Sequence, residues 1–149
     1  MQLPIENYVN LHVYIQAKFL LVIVLNFEKL CQQVFALHDD IRYAGIIDDF
    51  GSLIAGGMRK GIDSITAEDN DELYLVQTAL RKSMRHRFDK SMGRARFAYV
   101  EREKISMLTF YMEKFTLLLS IEPNVDSHAV IDITKDVQDL IVASNREER

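Results

Sequence analysis

Ile41-Arg42-Tyr43-Ala44-Gly45-Ile46-Ile47-Asp48-Asp49-Phe50-Gly51-Ser52-Leu53-Ile54-Ala55-Gly56-Gly57-Met58 is the stretch that decides the architecture. Two runs rich in β-forming residues flank Asp48-Asp49-Phe50-Gly51, whose residue types tolerate the left-handed backbone of a tight turn. The pattern predicts a hairpin with strands near 41–48 and 52–58. Asp48 and Asp49 are adjacent in a turn, so their carboxylates diverge, and no third ligand is near in sequence. They read as turn residues rather than an acid–base pair or a metal site. The spacing from Gly56 to Gly61 imitates a phosphate loop, but Ile62 and Asp63 stand where that motif needs Lys and then Ser or Thr. A flexible turn is expected there.

Upstream of the hairpin, Phe27, Leu30, Cys31, Val34 and Phe35 fall at i, i+3, i+4, i+7 and i+8, a helical apolar stripe. Asn26 is the expected N-cap of this helix, and Asp39-Asp40 ends the element. Cys31 lies on the stripe and is expected to be a small buried hydrophobe. Residues 1–25 form an apolar extension of uncertain status. Phe19 to Leu25 is apolar but short of the roughly 20 residues of a spanning helix. Glu6 and the lone cation Lys18 precede it, and no small-residue cleavage site follows, unlike a signal peptide. A strand or helix packed on the domain is the first expectation, with a membrane-surface anchor or an over-extended start as alternatives.

Downstream, Thr66 is the expected N-cap, with Asp69 at N3 of a near capping box, of a helix over about 67–92. Leu73, Val76, Leu80, Met84, Phe88 and Met92 trace one face of it, and Gly93 fits the position that ends it. Arg81, Lys82, Arg85, His86 and Lys90 lie off that face. After Gly93 the period changes to two. Phe97–Val100, Ile105–Met112 and Phe115–Ile121 read as three strands of an antiparallel meander, joined by Arg102-Glu103 and Glu113-Lys114. The third is apolar on much of both faces, which predicts a central position. Pro123 closes the sheet, and Asp126 or Ser127 caps a last helix with the stripe Val130, Ile133, Val137, Leu140 and Ile141. The organisation expected is an extension over 1–25, one α+β domain over 26–143 and a polar tail over 144–149. A five-stranded antiparallel sheet lies between helices in the order α-β-β-α-β-β-β-α.

Composition bounds the function. With 48% hydrophobic and 27% charged residues the 149-residue chain is a folded domain rather than a disordered one. The single cysteine rules out an internal disulfide and fits a reducing, cytoplasmic setting. His12, His38, His86 and His128 are scattered without ligand spacing, so no metal or cofactor is called for. The net charge of −4 hides an asymmetry: seven Lys or Arg and only Asp89 fall between Arg81 and Arg96, so that segment carries +6 and the remainder −10. A basic stripe of this kind either complements the helix dipole in solvent or receives an anionic partner. The overall negative charge and the lack of a binding motif set nucleic acid aside. No serine or cysteine stands in a nucleophile motif, so an enzyme is not expected.

The order of elements and the hairpin Ala44-Gly45-Ile46-Ile47, Asp48-Asp49-Phe50-Gly51, Ser52-Leu53-Ile54-Ala55 resemble the roadblock/dynein light chain family, a branch of the profilin-like architecture, over residues 26–143. Arg42-Tyr43-Ala44-Gly45, Ala55-Gly56-Gly57-Met58-Arg59, Ala79-Leu80-Arg81 and Arg102-Glu103-Lys104 are similar to words of an uncharacterised archaeal family of roadblock-like proteins. The broader resemblance implies a homodimer that scaffolds or regulates small GTPases in signalling, or a sensory ligand-binding domain. The residues offered as an anion- or partner-binding surface are Arg59, Arg81, Arg85, Arg102 and Lys104. Gly45, Gly56 and Gly57 are offered as glycines that let a ligand approach the backbone.

Overall fold

The two β-periodic runs of the opening stretch pair as expected. In the computed structural model, which describes residues 4–147, they form β1 (Ile41–Asp48) and β2 (Leu53–Met58). Near the turn Ile46 faces Ala55 but Ile47 faces Leu53, so β2 carries a bulge that bends the hairpin. The meander is β3 (Phe97–Glu101), β4 (Ser106–Tyr111) and β5 (Phe115–Ile121). β5 returns to pair with β1, giving one five-stranded antiparallel sheet in the order β2-β1-β5-β4-β3. Its central place agrees with its two-sided apolar pattern: residues 116–121 are all buried.

Helices α1 (Ile5–Phe35) and α4 (Ser127–Glu147) cover one face of this sheet, and α2 (Glu68–His86) lies on the other. A single turn, α3 (Asp89–Met92), follows α2. The expected α-β-β-α-β-β-β-α order holds, with α3 split from the end of the central helix. On the first face Phe27, Leu30, Cys31 and Val34 meet Val130, Ile133 and Val137 over Ala44, Ile46, Leu117 and Leu119. Phe27 meets Phe115 edge-on, with ring centroids 4.8 Å apart. The second face is much thinner: Ala79 packs on Ile47 and Leu118, helped by Tyr43, Tyr74 and Leu75.

Several expectations are corrected. Asn26 does not begin a helix, because α1 runs unbroken for 31 residues from Ile5. Most of its apolar part is not packed on the domain: residues 5–22 are exposed, Ile23 is half-buried against the core, and the buried side chains are Phe27, Leu30, Cys31 and Val34. The central helix ends at His86, where the Phe88 N–H bonds to the Arg85 carbonyl at 3.1 Å, and Gly93 closes α3 with φ +81°. Ala67, not Thr66, occupies the N-cap position, with no side-chain cap. The Ser64 and Thr66 hydroxyls instead both donate to the Asp71 carboxylate, so Asp69 is not their partner. The polar tail continues α4 as far as Glu147, which meets Lys29 of α1 at 3.3 Å; residues 1–3, 148 and 149 lie outside the described residues.

Gly56 is a position where α1 and the sheet approach closely. Its φ is +81°, and an added Cβ would overlap the Ala44 carbonyl oxygen and stand 2.8 Å from Cys31 Sγ. Its N–H donates to Glu28 on α1 at 3.0 Å. The glycine therefore serves helix–sheet packing rather than ligand approach. Gly56→Ala is expected to cost about 2–4 kcal/mol through the left-handed backbone and the overlap together, read as a lower urea midpoint with an unchanged m-value.

Candidate functional site

The hairpin turn fixes how α2 is placed. Asp48 Oδ1 accepts from the N–H groups of Phe50 and Ser52, each at 2.9 Å, so this carboxylate caps its own turn. Asp49 points elsewhere and takes Lys82 Nζ at 2.7 Å. The two aspartates diverge as adjacent turn residues should. Lys82 also donates to the Glu113 and Phe115 carbonyls at 3.3 Å, and its side chain is only 5% exposed. Gly51, at φ +84°, lies against the α2 backbone: a Cβ there would sit 2.7 Å from Val76 Cα. Only glycine lets the turn seat on the helix at this distance.

Seating Lys82, Ala79 and Thr78 against the sheet determines what α2 shows to solvent. At 100° per residue, Leu73, Val76, Leu80 and Met84 fall on the opposite side, and all four are exposed, Leu80 and Met84 at 60% each. The apolar stripe expected to be core is thus an outer seam. Beyond it Phe88 and Met92 are exposed as well. The side of α2 that carries Tyr74 and Gln77 shares one cavity with Glu101 of β3, an edge strand, and its C-terminal end shares another with Phe97; of the seam, Leu73 lines the first. Phe97, Tyr99 and Val100 on that edge are also exposed.

The cations divide between these two cavities. One, of about 880 Å³, is lined by Arg85, Arg94 and Arg96 with Lys82, His86 and Asp89. Arg85 stands 5.9 Å from the centre of the Tyr111 ring, and His86 Nδ1 lies 2.6 Å from Asp89. The other, of about 850 Å³, opens between α2 and the sheet over Tyr43, Tyr74, Met107 and Leu118, with Arg42, Arg102 and Lys104 among its lining. Burial pushes the Tyr74 phenol up, while the charges of Arg81 and Arg102 pull it back. Both charges act on Tyr74; Arg102 lines this cavity, whereas Arg85, one helical turn after Arg81, lines the other.

Arg59 belongs to neither group. Its Nε donates to the Ile41 carbonyl at 2.7 Å, its Nη2 to those of Phe35 and His38 at 2.8 Å, and its guanidinium lies 4.9 Å from the Phe35 ring centre. It clamps the end of α1 to the hairpin, so the expectation that it joins the cations of α2 is corrected. The glycines are placed differently too. A Cβ on Gly45 would stand 2.7 Å from ring atoms of Tyr43, so that glycine makes room for an aromatic ring, whereas Gly57 faces open space.

Sequence reasoning misses two residues. It groups Lys82 with the solvent-facing cations, although the small residues Thr78 and Ala79, four and three positions before it, mark the sheet side. Arg42 carries no signal: it bonds Glu122 at 2.6 Å and the Asp63 carbonyl at 2.9 Å, linking β1 to two distant loops. Its Nε is buried with no acceptor among the described residues. Cys31 is buried as expected, and burial pushes its thiol up to about 12.

Fold and site together define a roadblock-like α+β domain with an open outer helix face. In sequence, residues 21–138 match the family of unknown function DUF6659, and the chain belongs to that family. No curated protein matches it. Among solved structures it is similar to the gliding protein MglB from Thermus thermophilus, with a TM-score of 0.64 at 14% identity over 82% of this chain and 90% of that one. A structure described as MglB with tetrameric arrangement gives a TM-score of 0.64 at 14% identity, covering 82% and 91%. A roadblock/LC7 domain from Streptomyces avermitilis gives 0.51 at 12% identity, covering 77% and 97%. At these identities the likeness is one of fold.

Lys82→Ala leaves Asp49 and two carbonyls without their donor; a loss of about 2–4 kcal/mol is expected by denaturant titration. Cys31 in the native protein should resist a disulfide-exchange reagent at pH 8 and react fully in urea, which a colorimetric thiol assay reads directly.

Proposed function

We propose that the chain is a non-enzymatic regulatory or scaffolding module that works by protein–protein contact and assembles as a homodimer. The observation that carries this reading is the apolar seam of α2, Leu73, Val76, Leu80 and Met84, turned away from its own sheet, together with the exposed apolar side chains of the edge strand β3. A two-fold contact covers both features at once, since the same patch meets itself and the edge strands pair antiparallel. The MglB structure with tetrameric arrangement, similar in fold, supports self-association as a use of this scaffold. A small GTPase is the partner class, following the roadblock resemblance, with Arg81, Arg85, Arg102 and Lys104 as the surface offered to its acidic groups. A cytoplasmic setting is part of this proposal, in keeping with the single cysteine.

Sedimentation velocity at micromolar protein, in a mild detergent that covers the exposed front of α1, tests the assembly. The wild type should sediment as a dimer and Val76→Glu/Leu80→Glu as a folded monomer, because two carboxylates on the seam cannot be buried unpaired. A wild type that stays monomeric across the concentration range sinks the homodimer. For the partner, Arg81→Glu/Arg85→Glu should weaken binding to a purified small GTPase from the same genome by about tenfold or more; equal binding removes those arginines from the interface.

A second reading rests on the cavity of about 850 Å³ between α2 and the sheet, with the unpaired Arg42 Nε nearby. A sensory domain would place a small anionic or polar ligand there. A metabolite panel that leaves the melting temperature unmoved argues against it.

A further inference from the structure

We propose that the N-terminal part of α1, residues 7–22, inserts into a lipid bilayer and tethers the domain to it. α1 is long and apolar enough to cross a membrane by length and composition, and none of its most apolar 18-residue window is buried. The exposed apolar side chains are not confined to one stripe. At 100° per residue, Val9, Leu11, Val13, Tyr14, Phe19 and Leu21, all exposed, point around the whole circumference of the helix. A partner groove, or the helix of a second copy, covers one side and leaves the others in water. A bilayer covers every side, which is the environment that an all-round apolar helix calls for.

Length and charge agree with that occupant. The 16 residues from Asn7 to Val22 span roughly 24 Å at about 1.5 Å per residue, against a hydrocarbon thickness of about 30 Å that thins locally around a shorter helix. Lys18 is the only Lys, Arg, Asp or Glu among them, a single charge that a spanning segment carries at a cost. Tyr8 lies near the far end, at the depth where amphipathic rings collect. At the near end the same helix continues without a break into buried Phe27, Leu30, Cys31 and Val34. The segment is therefore joined to the folded core through one continuous helix. Phe19–Leu25 taken alone is too short to span, and the continuous helix removes that objection.

The test is flotation of the full-length protein with vesicles of phosphatidylcholine and phosphatidylglycerol, followed by an alkaline carbonate wash. The wild type should float and stay with the vesicles through the wash. Leu20→Glu/Leu21→Glu should reduce the retained fraction about tenfold or more, as carboxylates inside the hydrocarbon do. Leu11→Glu/Ile15→Glu, further from the domain, should show the same loss, and circular dichroism should report folded protein in both variants. Wild type that remains at the bottom overturns the proposal, as does wild type released by carbonate, which marks surface adsorption. Variants that float as well as the wild type overturn it too. A discrete detergent-free oligomer indifferent to vesicles would assign the helix to a second copy instead. These readouts concern α1 alone and are independent of whether the α2 seam forms a dimer.

Discussion

Lys82 is the residue on which the arrangement depends. An ammonium taken out of water costs several kcal/mol unless it is paired and fully hydrogen-bonded, and here it finds Asp49 of the hairpin turn and the carbonyls of Glu113 and Phe115. Those three acceptors belong to the β1–β2 turn and to the β4–β5 connection and the start of β5. One side chain thus ties α2 to both halves of the sheet. Gly51 seated on the α2 backbone fixes the same contact sterically. Once that side of α2 faces inward, geometry sends Leu73, Val76, Leu80 and Met84 outward.

The two faces of the sheet are consequently unequal. α1 and α4 bring Phe27, Leu30, Val34, Val130, Ile133 and Val137 to a deep apolar layer, and this layer supplies most of the hydrophobic burial. α2 contributes a thin one built on Ala79, Ile47 and Leu118. The helix is held by an ion pair, a turn and a few small residues, and its larger apolar side chains stay exposed. The cavity beneath its N-terminal half has the same origin, since small residues at the contact leave space to either side.

α1 shows how one helix serves two environments. From Phe27 onward its apolar residues keep the i, i+3, i+4 spacing of a stripe facing a sheet, and the other faces are polar. Before Leu25 the apolar residues spread to all sides. The hydrogen-bonded backbone is indifferent to this change, so the helix runs through it without a cap at Asn26. A reading that looks for a cap where the pattern changes finds a boundary of environment, not of secondary structure.

Much was legible in residue order. Strand periods of two, the turn residues Asp48 to Gly51, the buried run of β5 and the stripe of α4 are local signals, set by side-chain alternation and backbone preference, and each led to the observed element. Burial of Cys31 followed from its place on a stripe. What residue order could not convey was which side of α2 meets the sheet. The apolar side was the natural choice by hydrophobicity alone, but a lysine with three acceptors and two small neighbours outweighed it, and those acceptors lie 31 to 33 residues away along the chain. The roles of Arg59 and Arg42 as clamps and the exposure of the front of α1 were hidden for the same reason. Each depends on groups distant in sequence that only folding brings within hydrogen-bonding or van der Waals reach.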